Sequence, residues 1–451
     1  MGPEQPGEPE QPGEPEQPGE PEKPSEPEPP GERGQGDASA KYRSAGTVRE
    51  VVREFTILGV TSFGGPVAHL GYFRERLVQR RQWISEQGYA ELVALAQFLP
   101  GPASSQVGFA LGMHRAGLLG GLAAFAAFTL PSAVLLVLAA VLAPQVSGVV
   151  GEGLIAGLKV VAVAVVAHAV WGMARTLTPD LRRIGIALAA GGLALGVAAL
   201  GGAVWGGAAW APVVAIAVGA VAGLALCRSA VPLPAIAAGA SGLRIPLSRR
   251  AGAACLVLVA ILMLALPVVA LGAPSLPIAL LDSVVRAGAL AFGGGHVVLP
   301  LLESAVVGPG WVSESQFLAG YGAAQAVPGP LFTFAAFLGA SMAPGGWGLL
   351  LATIALVGIF VPGLLLIAGV LPFWAALQSR RGVPALVRGA SASVVGVLAA
   401  ALIDPVATSA IVDVPTAVLA ALCVLSLMVL RLPVLAVVFI AALGGVLLQF
   451  L

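Results

Sequence analysis

Residues Trp83 to Pro102 read WISEQGYAELVALAQFLPGP, and residues Trp311 to Pro330 read WVSESQFLAGYGAAQAVPGP. Each opens on Trp-(Ile/Val)-Ser-Glu, runs through an apolar stretch and closes on Gln-x-(Leu/Val)-Pro-Gly-Pro. Trp83 and Trp311, like Pro100 and Pro328, are 228 positions apart. Proline and glycine are the two residues an α-helix tolerates least. The chain therefore builds a helix twice and stops it twice at the same point, which makes it two copies of one plan.

The surroundings of these stretches are those of a membrane protein. Hydrophobic residues make up 57% of the chain and charged residues 10%, and the mean hydropathy is +0.92. No charge falls between Gly117 and Gly151, Ile184 and Cys227, Ala251 and Leu281, or Ser315 and Ser379. The last run exceeds two spans of about 20 residues each. The fold class is all-α and polytopic.

The N-terminus is different in kind. Residues 3–32 are five hexapeptides, PEQPGE three times and then PEKPSE and PEPPGE, with ten glutamates and one lysine. They have nothing to bury and repel one another, so residues 1–36 are expected to be a disordered acidic tail, and without an apolar core they are not a signal peptide. The formal net charge of +1 hides this contrast. Without residues 3–32, 23 basic residues face 13 acidic ones. Cys227, Cys255 and Cys423 lie in apolar runs and read as small packing residues, not as a disulfide or metal set.

Lysine and arginine mark the inner face of a membrane. They cluster at Lys41–Arg53, Arg74–Arg81, His114-Arg115, Arg175–Arg183, Arg228–Arg250 and Arg380–Arg388. The turns near Pro144, Gly201 and Ala273, the stretch Glu303–Glu314 and the loop Asp404–Asp413 carry none. Phe55–Phe73 and Leu92–Met113 have basic residues at both ends and Gly-Gly-Pro or Pro-Gly-Pro in the middle. A single crossing would strand one cluster outside, so both read as re-entrant hairpins or broken helices; the competing parse lets them cross fully. The C-terminal half exchanges the charges, having no lysine or arginine where the first half has RERLVQRR. Two homologous halves in an inverted repeat follow: 48–227 and 276–451, joined by 228–275, a basic linker with one connecting span near Ala251–Leu271. The tail would then be cytoplasmic.

Breaks inside hydrocarbon survive only where protein or a watery cavity satisfies the freed backbone, and matched breaks in inverted halves are how carriers build a midplane site. The first break is Phe-Gly-Gly-Pro-x-Ala-His-x-Gly-Tyr-Phe (Phe63–Phe73), followed by Gln-x-Leu-Pro-Gly-Pro-x-x-x-Gln (Gln97–Gln106). With these motifs in two halves, the chain resembles the long-chain chromate ion transporter family from about residue 48 to its end. The resemblance implies a multi-pass carrier of the inner cell membrane that moves chromate outward, and sulfate-like oxyanions with it. It implies no enzyme activity, no cofactor, no metal and no nucleic acid, and leaves open a coupling proton and a homodimer. The second copy departs from the first: Phe292–His296 read FGGGH, and Leu331–Phe334 replace Ala103-Ser104-Ser105-Gln106.

Candidate substrate residues follow from the breaks. In the first half they are Gly64, Gly65, Pro66, His69, Gln97, Pro100, Gly101, Pro102, Ser104, Ser105 and Gln106. In the second they are Gly293, Gly294, Gly295, His296, Gln325, Pro328, Gly329, Pro330 and Thr333. Lys159 and Arg286, each in an apolar span, are candidates for one fixed positive charge. Each has a plainer role: glycine and proline pack membrane helices, either histidine can bond a freed carbonyl, Ser104 and Ser105 can cap a helix, and Lys159 can snorkel. His168, alone in an alanine-valine helix, reads as a packing or interfacial residue. Leucine at Gly101 or Gly329 is expected to block transport and spare insertion. The alternatives to a carrier are an anion channel on the same elements and a membrane-embedded lipid enzyme, but no nucleotide loop, metal cluster, nucleophile elbow or acid/base cluster is visible.

Overall fold

The computed structural model describes residues 2, 46–145, 148–199, 211–227, 247–273, 275–292, 298–374 and 382–450. The expected acidic tail beyond Gly2 and the basic linker 228–246 lie outside the described residues.

The described residues are helical, with no strand among them. In the first half, α1 (Val48–Thr61) is followed by α2 (Gly65–Phe73), which runs on through a wider turn at Arg74–Arg80, then α3 (Glu86–Phe98) and α4 (Ala103–Leu142). α4 is two helices in one, because Ala116 and Gly117 leave helical geometry and the chain turns back there. Helices α5 (Val149–Leu177), α6 (Leu181–Ala199) and α7 (Ala211–Leu226) complete the half. A single helix, α8 (Arg249–Gly272), stands between the halves. The second half repeats the order as α9 (Leu276–Leu290), α10 (Val298–Val306), α11 (Glu314–Ala326), a short tight turn at Leu331–Thr333, α12 (Phe334–Ser341), α13 (Gly345–Val370), α14 (Gly382–Ala401), α15 (Val414–Met428) and α16 (Val434–Leu448). Among the described residues, five helices have the length and apolarity of membrane spans: α4 to Gln145, α5, α8, α13 and α14 with its extension to Ala410. This is a multi-pass membrane protein.

The repeated Trp-x-Ser-Glu motif starts a helix in both halves. Ser85 Oγ accepts from the Gly88 amide at 3.1 Å, and Ser313 Oγ accepts from the Gln316 amide at 3.2 Å, capping α3 and α11. Such a cap contributes about 1 kcal/mol. Trp83 in front of the first cap is buried, and its indole N–H donates to Glu50 at 3.1 Å.

Both broken segments of the first half return to the face they left. Glu54 of α1, 1% exposed, accepts from Arg76 at 2.6 Å and Arg81 at 2.5 Å, so the hairpin from α1 through α2 closes on itself. Arg115 pairs with Glu50 at 3.0 Å and lies 5.4 Å over the Trp83 ring, while His114 meets the Trp83 carbonyl at 3.2 Å. The α3 segment and the first part of α4 thus go in and come back. Charge placement had pointed to this, and the ion pairs supply the reason: a buried carboxylate must stay beside its arginines.

The two halves are interleaved. α5 packs on α15 and α16 of the other half, and α14 packs on α6 and α7 of the first. Small residues permit it: a Cβ on Gly157 would lie 2.2 Å from the Ala441 carbonyl, and one on Gly223 would lie 2.4 Å from the Ala385 carbonyl. Close backbone approach is how membrane helices gain packing energy where lipid is as apolar as leucine.

Candidate functional site at the helix breaks

Pro100-Gly101-Pro102 carries the chain from α3 to α4, with Gly101 at φ +120°, and Gly64 and Gly65, at φ +97° and +80°, carry it from α1 to α2. Each Pro-Gly-Pro break is tied to the other half. The Gly101 amide donates to the Ala291 carbonyl at 2.9 Å, and the Gly329 amide donates to the Ser62 carbonyl at 2.9 Å. Ala291 and Ser62 occupy the same place, one residue before Phe-Gly-Gly in each half. The packing is equally reciprocal. A Cβ on Gly101 would meet Gly363 Cα at 3.0 Å, and one on Gly329 would meet Ser132 Oγ at 2.7 Å. Gly363 follows Pro362 inside α13, and Ser132 follows Pro131 inside α4. Each break therefore rests on the proline-bearing helix of its partner half.

The first half lines this crossing with polar groups. His69 of α2 is fully buried, with Nδ1 3.3 Å from Ser104 Oγ and its ring edge-on to Phe128 at 5.4 Å between centroids. With the Ser104 hydroxyl donating to Nδ1, the ring proton sits on Nε2, which is buried and makes no bond of full hydrogen-bond geometry, the Ser62 carbonyl beside the ring already accepting from Gly329. The hydroxyls of Ser62, Ser105 and Thr129 are buried without partners as well. A group left in this condition costs about 1–3 kcal/mol, so several in one region ask for a water or a ligand. The first backbone bond within α4 runs from the Gln106 amide to the Pro102 carbonyl, so the amides of Ala103, Ser104 and Ser105 open the helix without an intrahelical acceptor. Gln106 itself is a clamp: its Nε2 donates to the Pro100 carbonyl at 2.9 Å and the Gly363 carbonyl at 3.0 Å.

The second half lines the crossing with carbon. Leu331, Phe332 and Phe334 are buried there, and the Thr333 hydroxyl donates to the Pro330 carbonyl at 2.6 Å. Pro66 sits in the first turn of α2, and Pro328 and Pro330 flank Gly329 as Pro100 and Pro102 flank Gly101. Gln97 is exposed, whereas Gln325 is half-buried with its Nε2 enclosed and without a partner. Arg286 pairs with Asp282 at 2.7 Å one turn before it on α9. Lys159 is half-buried on α5 and forms no ion pair with the described residues. Its neighbour Leu158 lies against Gly322 of α11, one turn from Gln325. Gly293, Gly294, Gly295 and His296 lie outside the described residues.

Ser62, Phe128, Thr129 and Ser132 were not among the residues singled out from the sequence. The available signal was the pair Pro131-Ser132 and Pro362-Gly363, a proline with a small residue after it at the same place in both halves. One expectation is corrected. A leucine at Gly101 cannot spare the fold, because its Cβ alone would press on the Gly363 backbone and on Gln106 Nε2, at 2.9 Å.

The chromate transporter family profile matches residues 49–243 and 278–446, one region for each half. The chain belongs to the chromate transporter family. It is 29% identical over 377 residues to the chromate transport protein of Pseudomonas aeruginosa, covering 79% of this chain and 80% of that one. It is 28% identical over 395 residues to the chromate transport protein of Cupriavidus metallidurans, covering 83% and 86%. A probable chromate transport protein of Synechococcus elongatus matches at 26% identity over 435 residues, covering 91% and 98%. No solved structure matches the chain. Both breaks, both proline-bearing helices and His69 fall inside the regions that define this transporter family, and the acidic tail falls outside them.

Proposed function

We propose that this chromate transporter family member is a secondary carrier of chromate and similar divalent oxyanions, binding one anion at the crossing of the helix breaks. The observation that carries the reading is the set of buried donors without partners on the first half's side: His69 Nε2, the Ser62, Ser105 and Thr129 hydroxyls, and the opening amides of α4. All are neutral. The start of a helix adds the equivalent of about half a positive charge. A dianion held by such donors can leave again, where a tight arginine pair would retain it. Arg286 already neutralises Asp282, so Lys159 is the candidate for added charge. The exchanged charges of the two halves support an inverted repeat with the tail in the cytoplasm of a cell whose inner membrane holds the carrier. Alternating access then rocks one half on the other around the reciprocal bonds of Gly101 and Gly329. Outward chromate movement coupled to a proton completes the proposal.

The test is flux in reconstituted vesicles. Labelled chromate should enter saturably, exchange against internal chromate, respond to an imposed proton gradient and be competed by sulfate more than by phosphate or molybdate. A flux that rises linearly with concentration and shows no counter-transport would make the protein a channel. Ser105→Ala and His69→Ala should each weaken chromate affinity by the worth of a hydrogen bond to a charged group, roughly 1.5–3 kcal/mol. Unchanged affinity in both would move the anion elsewhere.

A further inference from the structure

A concentration of positive charge lies away from the breaks, where α5 ends beside the turn between α15 and α16. A cleft of about 360 Å³ is lined there by His168, Trp171 and Arg175 of α5 and, across from them, by Leu427, Met428 and Arg431. Two separate stretches of chain meet here because α5 and α16 run antiparallel: Gly153 packs on Val446 and Gly157 on Ala441. The far end of α5 is thereby level with the start of α16.

The charges in this cleft are uncompensated. Among the described residues neither Arg175 nor Arg431 has an ion-pair partner, and no carboxylate lines the cleft. The nearby Asp180 is held by Arg183 at 2.7 Å. Arg175 lies over the Trp171 ring, 5.2 Å from its centroid, which fixes one guanidinium without neutralising it. Arg431 is held in left-handed backbone geometry, φ +54°, in a turn closed by the Leu432 amide on the Ser426 carbonyl at 3.0 Å. Glycine takes that conformation without steric cost, and arginine does not. Snorkelling alone would not require a strained position for the side chain that completes the pair.

The walls decide which anion fits. Trp171 is 52% exposed, and an indole in that position is the usual marker of the boundary between hydrocarbon and headgroups. Leu427 and Met428 give the cleft an apolar side. A free oxyanion would satisfy the guanidiniums and leave this side in water, whereas a phosphodiester with acyl chains satisfies both. The same end of α5 leads into Arg175–Arg183, on the face where basic residues collect and where anionic lipid is enriched. We propose that this cleft binds the headgroup phosphate of an anionic phospholipid, with Arg175 and Arg431 on the phosphate and Trp171, Leu427 and Met428 along the acyl chains.

The test uses full-length protein in detergent, with lipid retention read by native mass spectrometry and by thermal unfolding. The added probes are phosphatidylglycerol, phosphatidylcholine, inorganic phosphate and chromate. Phosphatidylglycerol should bind in preference to phosphatidylcholine and less tightly as salt rises. Removing each guanidinium should weaken it about five-fold, and Arg175→Gln with Arg431→Gly about thirty-fold. Arg431→Gly also relieves the left-handed backbone, so lipid-free stability should hold or rise, which separates lost binding from lost folding. Unchanged phosphatidylglycerol affinity in the double variant would overturn the assignment. So would displacement of the lipid by inorganic phosphate or chromate, which would make the cleft a vestibule for free oxyanions.

Discussion

The contact between Gly329 and Ser132 permits a direct test of how the halves are joined. Alanine at Gly329 must adopt φ +105°, and its Cβ would sit 2.7 Å from Ser132 Oγ and 3.0 Å from Ser132 Cβ. The backbone strain is about 1–2 kcal/mol, and overpacking adds about 1–3 kcal/mol, for a total of roughly 2–5 kcal/mol. The two parts separate by a second substitution, since Ser132→Gly removes both contacting atoms and copies the Gly363 arrangement of the other half. Alone it should cost about 1 kcal/mol through helix propensity and the lost Ser132–Thr129 bond. Combined with Gly329→Ala it should recover the overpacking and leave the strain, a coupling of about 1–3 kcal/mol. Unfolding midpoints of the four detergent-purified proteins in a denaturant series measure this. Strict additivity would refute the contact and with it the reciprocal seating of the breaks. Gly101→Ala is the comparison in the other half: its Cβ meets Gln106 Nε2 at 2.9 Å and Gly363 Cα at 3.0 Å, so no substitution at 363 can relieve it.

Three further outcomes follow from the same geometry. Glu54→Gln leaves Arg76 and Arg81 without their buried carboxylate and should lower stability by roughly 1.5–3 kcal/mol, read as an unfolding midpoint; a neutral effect would mean the α1–α2 hairpin is closed by packing alone. Ser104→Ala releases the His69 ring, so it should lower chromate affinity and be partly restored by Ser104→Thr, whereas Ser104→Cys should restore it less. Glu303 of α10 lies outside the five long spans, and burial, with Glu314 and Asp404 beside it, pushes its carboxyl up to about 8. A raised carboxyl stabilises the fold while the unfolded chain would still be protonated, so its contribution is complete below about 4.5, the ordinary glutamate value, and is lost as pH rises towards 8. Unfolding temperature should fall across that window, and Glu303→Gln should flatten the slope; an unchanged slope would place the titration elsewhere.

Much of the fold was legible because membrane chemistry leaves few options. Uncharged runs marked the spans, basic clusters flanking Gly-Gly-Pro and Pro-Gly-Pro marked the hairpins, and the 228-residue offset marked the two halves. The ion pairs of Glu54 and Glu50 that close those hairpins were not legible, since a carboxylate in a helix does not say which arginine lies opposite. Partners were harder still. Local spacing placed Gly101, Ser104 and Gln106 at one break, but only the folded chain brings Gly363, 257 residues from Gln106, against it. For the same reason Gln106 read as an anion ligand, whereas its amide protons are committed to two carbonyls. Asp282 and Arg286, four apart on one helix, were the pair that spacing could have given.

The two breaks are alike in backbone and unlike in lining, and the difference bears on how a carrier of this build would work. Both glycines donate across to the other half, and both rest beside a proline in a long helix, so the backbone seating is symmetric. The lining is not: His69, Ser104, Ser105 and Thr129 face one side of the comparison, and Leu331, Phe332 and Phe334 the other. Two polar linings would offer two dianion sites at one crossing, and their mutual repulsion in a low-dielectric interior would oppose filling both. One polar and one apolar lining removes that conflict. In the proposed carrier the first half would hold the ion, and Leu331, Phe332 and Phe334 of the second would supply a dry surface against which it can be enclosed. Moving the polar set across should therefore not double the capacity. Leu331→Ser with Phe332→Ser would give the second break hydroxyls, and the expected result is one chromate per chain at lower affinity, counted by equilibrium binding. Two chromates per chain would show that the asymmetry has another cause.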